Sequence, residues 1–424
     1  MLTRPRAAIV VTGSELVRGE RTDRNGPFLA GQALSLGLEP ARITIVGDRP
    51  DELAAALREG LEADLCLVSG GLGPTHDDRT AEFVARAAGV ELVLDPALAQ
   101  EIEAISRTIA TRLRRPYGDF APGVLKQASL PVGAVSLGLA GTAPGFVVSG
   151  TNGPFVVLPG PPSELQRLWP RALETEPVRR VLERARRPGR RVLRFYGASE
   201  SAVARALEEA GGDGDGVEAT ICARDFEIHV DLLVDPGAEE RAGEIARGLR
   251  TPLEQHLFTE DERPVEELVL GLCRARSLSL ATAESCTGGL VAARLTSVPG
   301  SSDVFVGGIV AYSNELKRVQ LGVPEAVLAE HGAVSAEAAA AMAAGARAQL
   351  GADVAVAVTG IAGPTGGTPE KPVGLVYLHA ETPDASRGIE FEFPSDRESV
   401  RQRSAVAALH LVRRLLSQSR DEQV

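Results

Sequence analysis

Short apolar runs that end in glycine-rich turns constrain this chain more than any other feature. Leu65–Val68 runs straight into SGGLGPTHDD, Phe155–Leu158 into PGPP, and Val354–Val358 into TGIAGPTGG. An apolar run of that length reads as a strand covered on both faces, and such strands return through helices. The spacing predicts further strands at Ala7–Val11, Ile43–Val46, Leu278–Ala283 and Phe305–Ala311. Helical spacing covers Phe28–Leu36, the stripe Leu53, Leu57 and Leu61 with Asp51 as its cap, Val265–Ala275, and Val400–Leu416. Ser163 and Gln166 have the spacing of a capping box, a helix begins near Gly288, and Ser335 caps a helix running through Leu350. SGGLGPT and TGIAGPT look alike, but their flanks differ, so they read as two solutions to one local problem and not as a duplication.

A length of 424 residues suggests two to four domains. The charged stretch Arg171–Arg191 reads as a boundary. Beyond it come a strand, a helix over Ser199–Ala210, the turn GGDGDGVE, two strands and a helix over Glu239–Leu249. That turn lacks the ligand spacing of a calcium loop and reads as a solvated turn. The expected architecture is α/β: two three-layer α/β domains with mostly parallel sheets, at 1–170 and 259–424, joined by a small α+β module at 171–258.

Composition sets outer bounds. Hydrophobic residues at 44% and charged residues at 24% exclude global disorder. No apolar run approaches the ~18 residues of a membrane span, and the start MLTRPRAAIVVTG lacks a signal-peptide pattern. With 57 acidic against 45 basic residues the net charge is −12, the wrong sign for gripping a phosphate backbone, so neither nucleic acid nor membrane is an expected partner. Cys66, Cys222, Cys273 and Cys286 show no paired spacing, which speaks against zinc and disulfides and for a reducing cytoplasm.

Ligands in parallel α/β sheets sit beyond the C-terminal strand ends. Glycines there (Gly70, Gly71, Gly73, Gly160, Gly360 and Gly363) let backbone amides approach an anion. Thr75, Asp77, Asp78 and Thr80 follow the first of these turns, and Glu15, Asp23, Asn25 and Asp48 fall at other strand ends nearby. Several acids at one sheet edge suit a divalent cation on a diphosphate; each acid alone also reads as a helix cap or surface group. A sharper constellation is ATAESCTGG, which seats Ser285 and Cys286 between a strand and a helix start, with backbone amides close by for an oxyanion. Tyr312 and Lys317 follow in AYSNELK, and a partly buried lysine can act as the base of a serine nucleophile. Cys286 is the rival nucleophile, although cysteine is often simply buried. His331, His379 and His410 have no companion acid at a telling spacing, so a Ser-His-Asp triad has little support.

At ESCTGG, AYSNELK, TGIAGP and PEKPVG, residues 263–424 resemble the CinA C-terminal domain, a nicotinamide mononucleotide deamidase. Through GSELVRG, DRN, SGGLGPTHDDRT and LPGPPSEL, residues 1–170 resemble the molybdopterin-binding-like domain that heads CinA proteins, and the middle module is similar to their KH-like insert. The resemblance implies a bifunctional hydrolase of the pyridine-nucleotide cycle. Its C-terminal domain would convert nicotinamide mononucleotide to nicotinate mononucleotide and ammonia without a cofactor. Ser285 would be the nucleophile, Lys317 the base, Tyr312 a hydrogen-bonding partner, and Thr359 a wall of the pocket with Gly288, Gly289, Gly360 and Gly363. Arg397 or Arg401 would hold the substrate phosphate. The N-terminal domain would cleave ADP-ribose to AMP and ribose 5-phosphate with a divalent cation, magnesium or cobalt, and potassium as an added ion. Asp48 and Asp78 would hold the metal, with Asp77 and Glu15 next in rank. Gly70, Gly71, Gly73, Thr75, Asn25, Gly160 and Ser163 would meet the substrate. Ser14 and Val17 stand where such domains more often carry Asp or Thr and Leu. The same resemblance implies a homodimer. Two readings stay open beside it: a molybdopterin-binding protein of molybdenum-cofactor chemistry, and a non-enzymatic competence or DNA-repair adaptor.

Overall fold

A computed structural model describes residues 4–418. The chain divides into two compact units, one reaching to Arg190 with the short pieces 215–217 and 233–240, the other holding most of the remainder to the C-terminus.

The first unit is built on a six-stranded sheet ordered Glu39–Val46, Arg6–Thr12, Leu65–Ser69, Pro154–Leu158, Pro144–Ser149, Val135–Leu139. The first four strands are mutually parallel, and Pro144–Ser149 runs against both of its neighbours, so the sheet is completed by two antiparallel pairings. Alternation along each strand serves two cores. Val10, Cys66, Val68, Phe155 and Val157 face a core shared with Leu53, Leu57, Phe83 and Ile102. Ile9, Val11, Leu65, Leu67, Val156 and Leu158 face the other, with Leu29, Leu165, Leu168 and Trp169. Two buried faces explain why these strands read as unbroken apolar runs. The helix Glu176–Leu182 belongs to this unit, because Val178 and Val181 pack into the second of these cores.

Two expected helix starts are corrected. The helix Pro50–Gly60 is capped at Arg49, with Pro50 in its first turn, so Asp51 lies inside that turn and does not cap. Likewise Pro162–Leu173 starts after Pro161, which leaves Ser163 exposed within the first turn and forms no capping box. In both cases proline, which fits the first helical position, moves the start ahead of the polar residue.

The second unit carries a five-stranded sheet ordered Phe305–Val310, Leu280–Glu284, Val354–Gly360, Leu375–Glu381, Ser386–Glu392. Its first three strands are parallel and the rest antiparallel, so the expected parallel core is extended by hairpins. The helices Val265–Ala275 and Arg397–Gln418 cover one face, and Asn314–Leu321 and Ala336–Leu350 the other. A four-stranded sheet, Val217–Arg224, Glu227–Val234, Gly189–Phe195, Leu257–Thr259, forms the small α+β module with helices Glu200–Glu209 and Glu239–Leu253.

Candidate active site

Ser285 follows directly on the strand Leu280–Glu284, which lies between two parallel neighbours. Its own amide still donates to the Val358 carbonyl at 2.9 Å, so the serine is fixed to the sheet. The chain then reverses through Gly288 and Gly289, at φ +60° and +97°, a region that glycine occupies without strain. Lys317 lies one turn inside the helix Asn314–Leu321, which Ser313 caps by accepting from the Leu316 amide at 3.1 Å. Lys317 is only 1% exposed. Its Nζ is 2.9 Å from Ser285 Oγ and 2.9 Å from the Ala311 carbonyl oxygen. Burial drives the lysine pKa down, since the charged form loses its water, and a nearby Cys286 works weakly the other way.

Cys286 is buried, and that burial pushes its thiol up to about 12. A thiol at that value is neutral and poorly nucleophilic. The histidines are engaged elsewhere: His331 beside Glu330 and Glu337, His379 beside Glu381, and His410 against Glu227 at 2.7 Å.

Glu284 is the residue that reading the sequence missed. It is 1% exposed, and its carboxylate accepts from the amides of Gly289 (2.9 Å), Val291 (3.1 Å) and Ala292 (2.9 Å). Those three amides are therefore spent on a carboxylate of the protein, and an oxyanion at Ser285 would draw on amides earlier in the turn. In this turn the amides of Cys286 and Thr287 donate neither to a backbone carbonyl nor to a carboxylate among the described residues. The Thr287 hydroxyl is buried and has no hydrogen-bond partner among the described residues. Glu284 stood in ESCTGG beside the nucleophile, but as the last strand residue, five positions before the N-cap Gly289, it falls outside any local capping pattern.

Other expected members fall around this pair and not on it. Tyr312 is 59% exposed, and its hydroxyl accepts from Arg397 Nη2 at 3.0 Å, while Arg397 Nη1 donates to the Gly363 carbonyl at 2.7 Å. Tyr312 makes no hydrogen bond to Ser285 or Lys317 among the described residues. Thr359 is buried and donates to the Ala333 carbonyl at 2.7 Å, and Gly360 sits where a Cβ would meet the Leu375 carbonyl oxygen at 2.8 Å. Arg401 is turned inward: Nε donates to the Cys286 carbonyl at 3.2 Å, Nη2 to the Thr287 carbonyl at 3.1 Å, and Nη1 meets Glu398 at 3.1 Å. Its guanidinium props the serine-bearing turn, and Arg397 is the more exposed of the two.

In the first unit the strand ends border a cavity of about 810 Å3. Asn25 ties these ends together, donating to Ser69 Oγ at 2.9 Å and to the Gly160 carbonyl at 2.7 Å. Asp23 accepts from the Asn25 and Gly26 amides at 2.9 and 3.1 Å and fixes the following helix. At Gly70 and Gly71 a Cβ would lie 2.4 Å from the Thr12 carbonyl oxygen and 2.1 Å from Thr80 Oγ1, and both have positive φ, so only glycine fits. Asp48 accepts from Ser14 Oγ at 2.5 Å, the Ser14 amide at 3.1 Å and Thr12 Oγ1 at 3.3 Å. Ser14, a departure from the commoner residues, thus serves as the partner of Asp48. Asp78 accepts from the Thr75 amide at 3.0 Å and from its hydroxyl, which also reaches Asp77 and holds that carboxyl below its ordinary value. Ser163 is exposed and does not line this cavity, whereas the half-buried Glu164 does, and burial raises its carboxyl.

The acids expected to bind metal are not assembled into a cage. Glu15, Asp48, Asp77 and Asp78 all border the cavity, yet among the described residues no three Asp, Glu, His or Cys side chains come together as ligands. Asp77 and Asp78 turn onto Thr75, and Asp48 onto Ser14 and Thr12, so their oxygens already have donors.

The fold and these strand-end sites define an α/β protein in which a buried serine–lysine pair in one unit and a glycine-rimmed cavity in the other share one chain. Residues 262–416 match the family described as the CinA C-terminal domain, and residues 8–177 the probable molybdopterin binding domain. The CinA-like protein of Mycolicibacterium paratuberculosis is 44% identical over 97% of this chain and 98% of its own length. That of Mycobacterium tuberculosis is 44% identical over 98% and 99%. The chain belongs to the CinA-like protein family. Among solved structures, the competence/damage inducible protein CihA from Agrobacterium tumefaciens is 40% identical over 38% of this chain and 99% of its own, with a TM-score of 0.35. Among the described residues no helix is long and apolar enough to cross a membrane.

Proposed function

We propose that the second unit hydrolyses the carboxamide of nicotinamide mononucleotide to nicotinate mononucleotide and ammonia. One observation carries the reading: a buried lysine amine stands 2.9 Å from a serine hydroxyl at a strand end. A lysine held neutral can accept a proton in its lone pair while one of its hydrogens stays on the Ala311 carbonyl. Ser285 Oγ then bonds to the carboxamide carbon as its proton passes to Lys317. The tetrahedral oxyanion lies within reach of the Cys286 and Thr287 amides. When the C–N bond breaks, Lys317 returns that proton to the leaving nitrogen, and ammonia departs. Water, deprotonated by the same amine, cleaves the acyl-serine to the carboxylic acid, and Ser285 regains its hydrogen. Arg397, with donors still free to reorient from Tyr312, is the candidate for the substrate phosphate.

The test is ammonia release from nicotinamide mononucleotide by the full chain. Ser285→Ala is expected to lose it and Cys286→Ala to keep most of it. Retention in the first variant with loss in the second would reject the serine.

A second reading concerns the first unit and rests on its cavity of about 810 Å3, rimmed by Gly70–Gly73 and by acids. That combination suits a ligand with both phosphates and sugar hydroxyls, and the reading is hydrolysis of ADP-ribose to AMP and ribose 5-phosphate. Release of AMP from ADP-ribose by the full chain tests it, and saturable binding of molybdopterin without such release would favour the molybdenum-cofactor alternative.

A further inference from the structure

A second, smaller cavity of about 230 Å3 shares Gly71, Leu72, Gly73, Asp78 and Gln127 with the polar one. Its other walls are mostly apolar: Ala81, Leu92, Leu130, Pro144 and Phe146. The charged groups at its edge are already matched. Arg79 grips Glu82 through two hydrogen bonds of 2.7 and 2.8 Å, Lys126 donates to the Thr75 carbonyl, and Asp78 is held by Thr75. Gln127 is buried, and its amide nitrogen is fixed on the Leu72 carbonyl at 3.0 Å. That bond settles which way the amide points, and its carbonyl oxygen accepts no hydrogen bond among the described residues.

We propose that this cavity holds the purine ring of a nucleoside-diphosphate substrate, with the diphosphate crossing the Gly71–Gly73 turn into the polar cavity. The proposal rests on the second reading above and names the part of the ligand which that reading leaves unplaced. Apolar walls next to a polar chamber suit a ligand that is flat and weakly polar at one end and anionic at the other. The space has room for one flat bicyclic ring beside the shared Gly71–Gly73 wall. The ring's exocyclic amine would donate to Gln127. A pterin of similar size presents an amino-oxo edge best met by an unengaged carboxylate, and both carboxylates here, Asp78 and Glu82, are engaged.

Calorimetric titration of the full chain with adenosine and, separately, with neopterin tests this. Ala81→Met and Ser129→Leu each push a longer side chain into the cavity from partly exposed positions. The expected result is saturable adenosine binding by the unaltered chain, tighter than neopterin, and weaker by at least tenfold in either variant, with the thermal midpoint kept. Should one variant lose its folding transition, the other decides. Absent adenosine binding, equal binding in a folded variant, or preference for neopterin overturns the proposal. Adenosine carries no diphosphate, so its binding reports on the cavity whether or not ADP-ribose is cleaved. Failure of cleavage with adenosine still bound rejects the hydrolysis reading alone.

Discussion

The turn after Leu280–Glu284 is filled by the protein's own groups, whereas the turn at Gly70–Gly73 faces a cavity of about 810 Å3. In the former, three amides are spent on the Glu284 carboxylate and the base beside the serine is 1% exposed. In the latter, three aspartates are held by hydroxyls but keep a side toward water. A strand end followed by glycines is thus a placement device, and what surrounds it sets the chemistry. A dry, filled turn fixes one reacting pair and shifts its pKa. A wet, open one leaves room for a larger polar ligand and leaves its groups adjustable.

The comparison breaks first, and most visibly, at Lys317. Lys317→Met keeps the length and apolar stem but removes the amine, and kcat for ammonia release is expected to fall about a thousandfold or more. A loss below tenfold would place the base elsewhere. Glu284→Ala comes next. It strips three amides of their acceptor inside a dry turn, and the second unit is expected to lose roughly 3 kcal/mol in a denaturant titration. Unchanged stability would mean that water reaches those amides, and the turn would not be dry.

The pH dependence sharpens the same point. Burial disfavours the charged lysine, so the folded value lies below the ordinary 10.5. Between the folded value and 10.5 the unfolded chain holds a proton that the folded one does not, so stability rises with pH across that window. Activity should rise about tenfold per unit below the folded value and level off above it. A flat kcat/KM profile from about pH 6 to pH 10 would count against Lys317 as the base.

Much of this was legible in the sequence, for a physical reason. A strand buried on both faces must be an apolar run, and a reversal at its end must carry glycine, so Leu65–Val68 and Val354–Val358 announced themselves. Ser285 and Lys317 were legible through motif and resemblance, although they stand 32 positions apart. Side-chain partners were not. Arg401 looks like a phosphate ligand until the structure turns it onto two carbonyls, and Tyr312 looks like a member of the serine site until its hydroxyl meets Arg397. A hydrogen-bond partner brought by another element leaves no trace in local spacing. The caps expected at Asp51 and Ser163 failed for a local reason, the proline one residue earlier in each case.

The smallest predicted effect is the control on the whole contrast. Asp48 resembles Glu284 on paper, since it too accepts from several donors: the Ser14 amide, the Ser14 hydroxyl and the Thr12 hydroxyl. Two of its donors are hydroxyls that can turn to water, and the carboxylate is itself partly exposed. Asp48→Asn should therefore cost the first unit no more than about 1 kcal/mol, as expected when solvent can replace a lost acceptor. A loss equal to that of Glu284→Ala would mean that counting donors predicts stability better than exposure does. The distinction between a filled turn and an open one would then carry no energetic meaning, even if the serine site behaved as described.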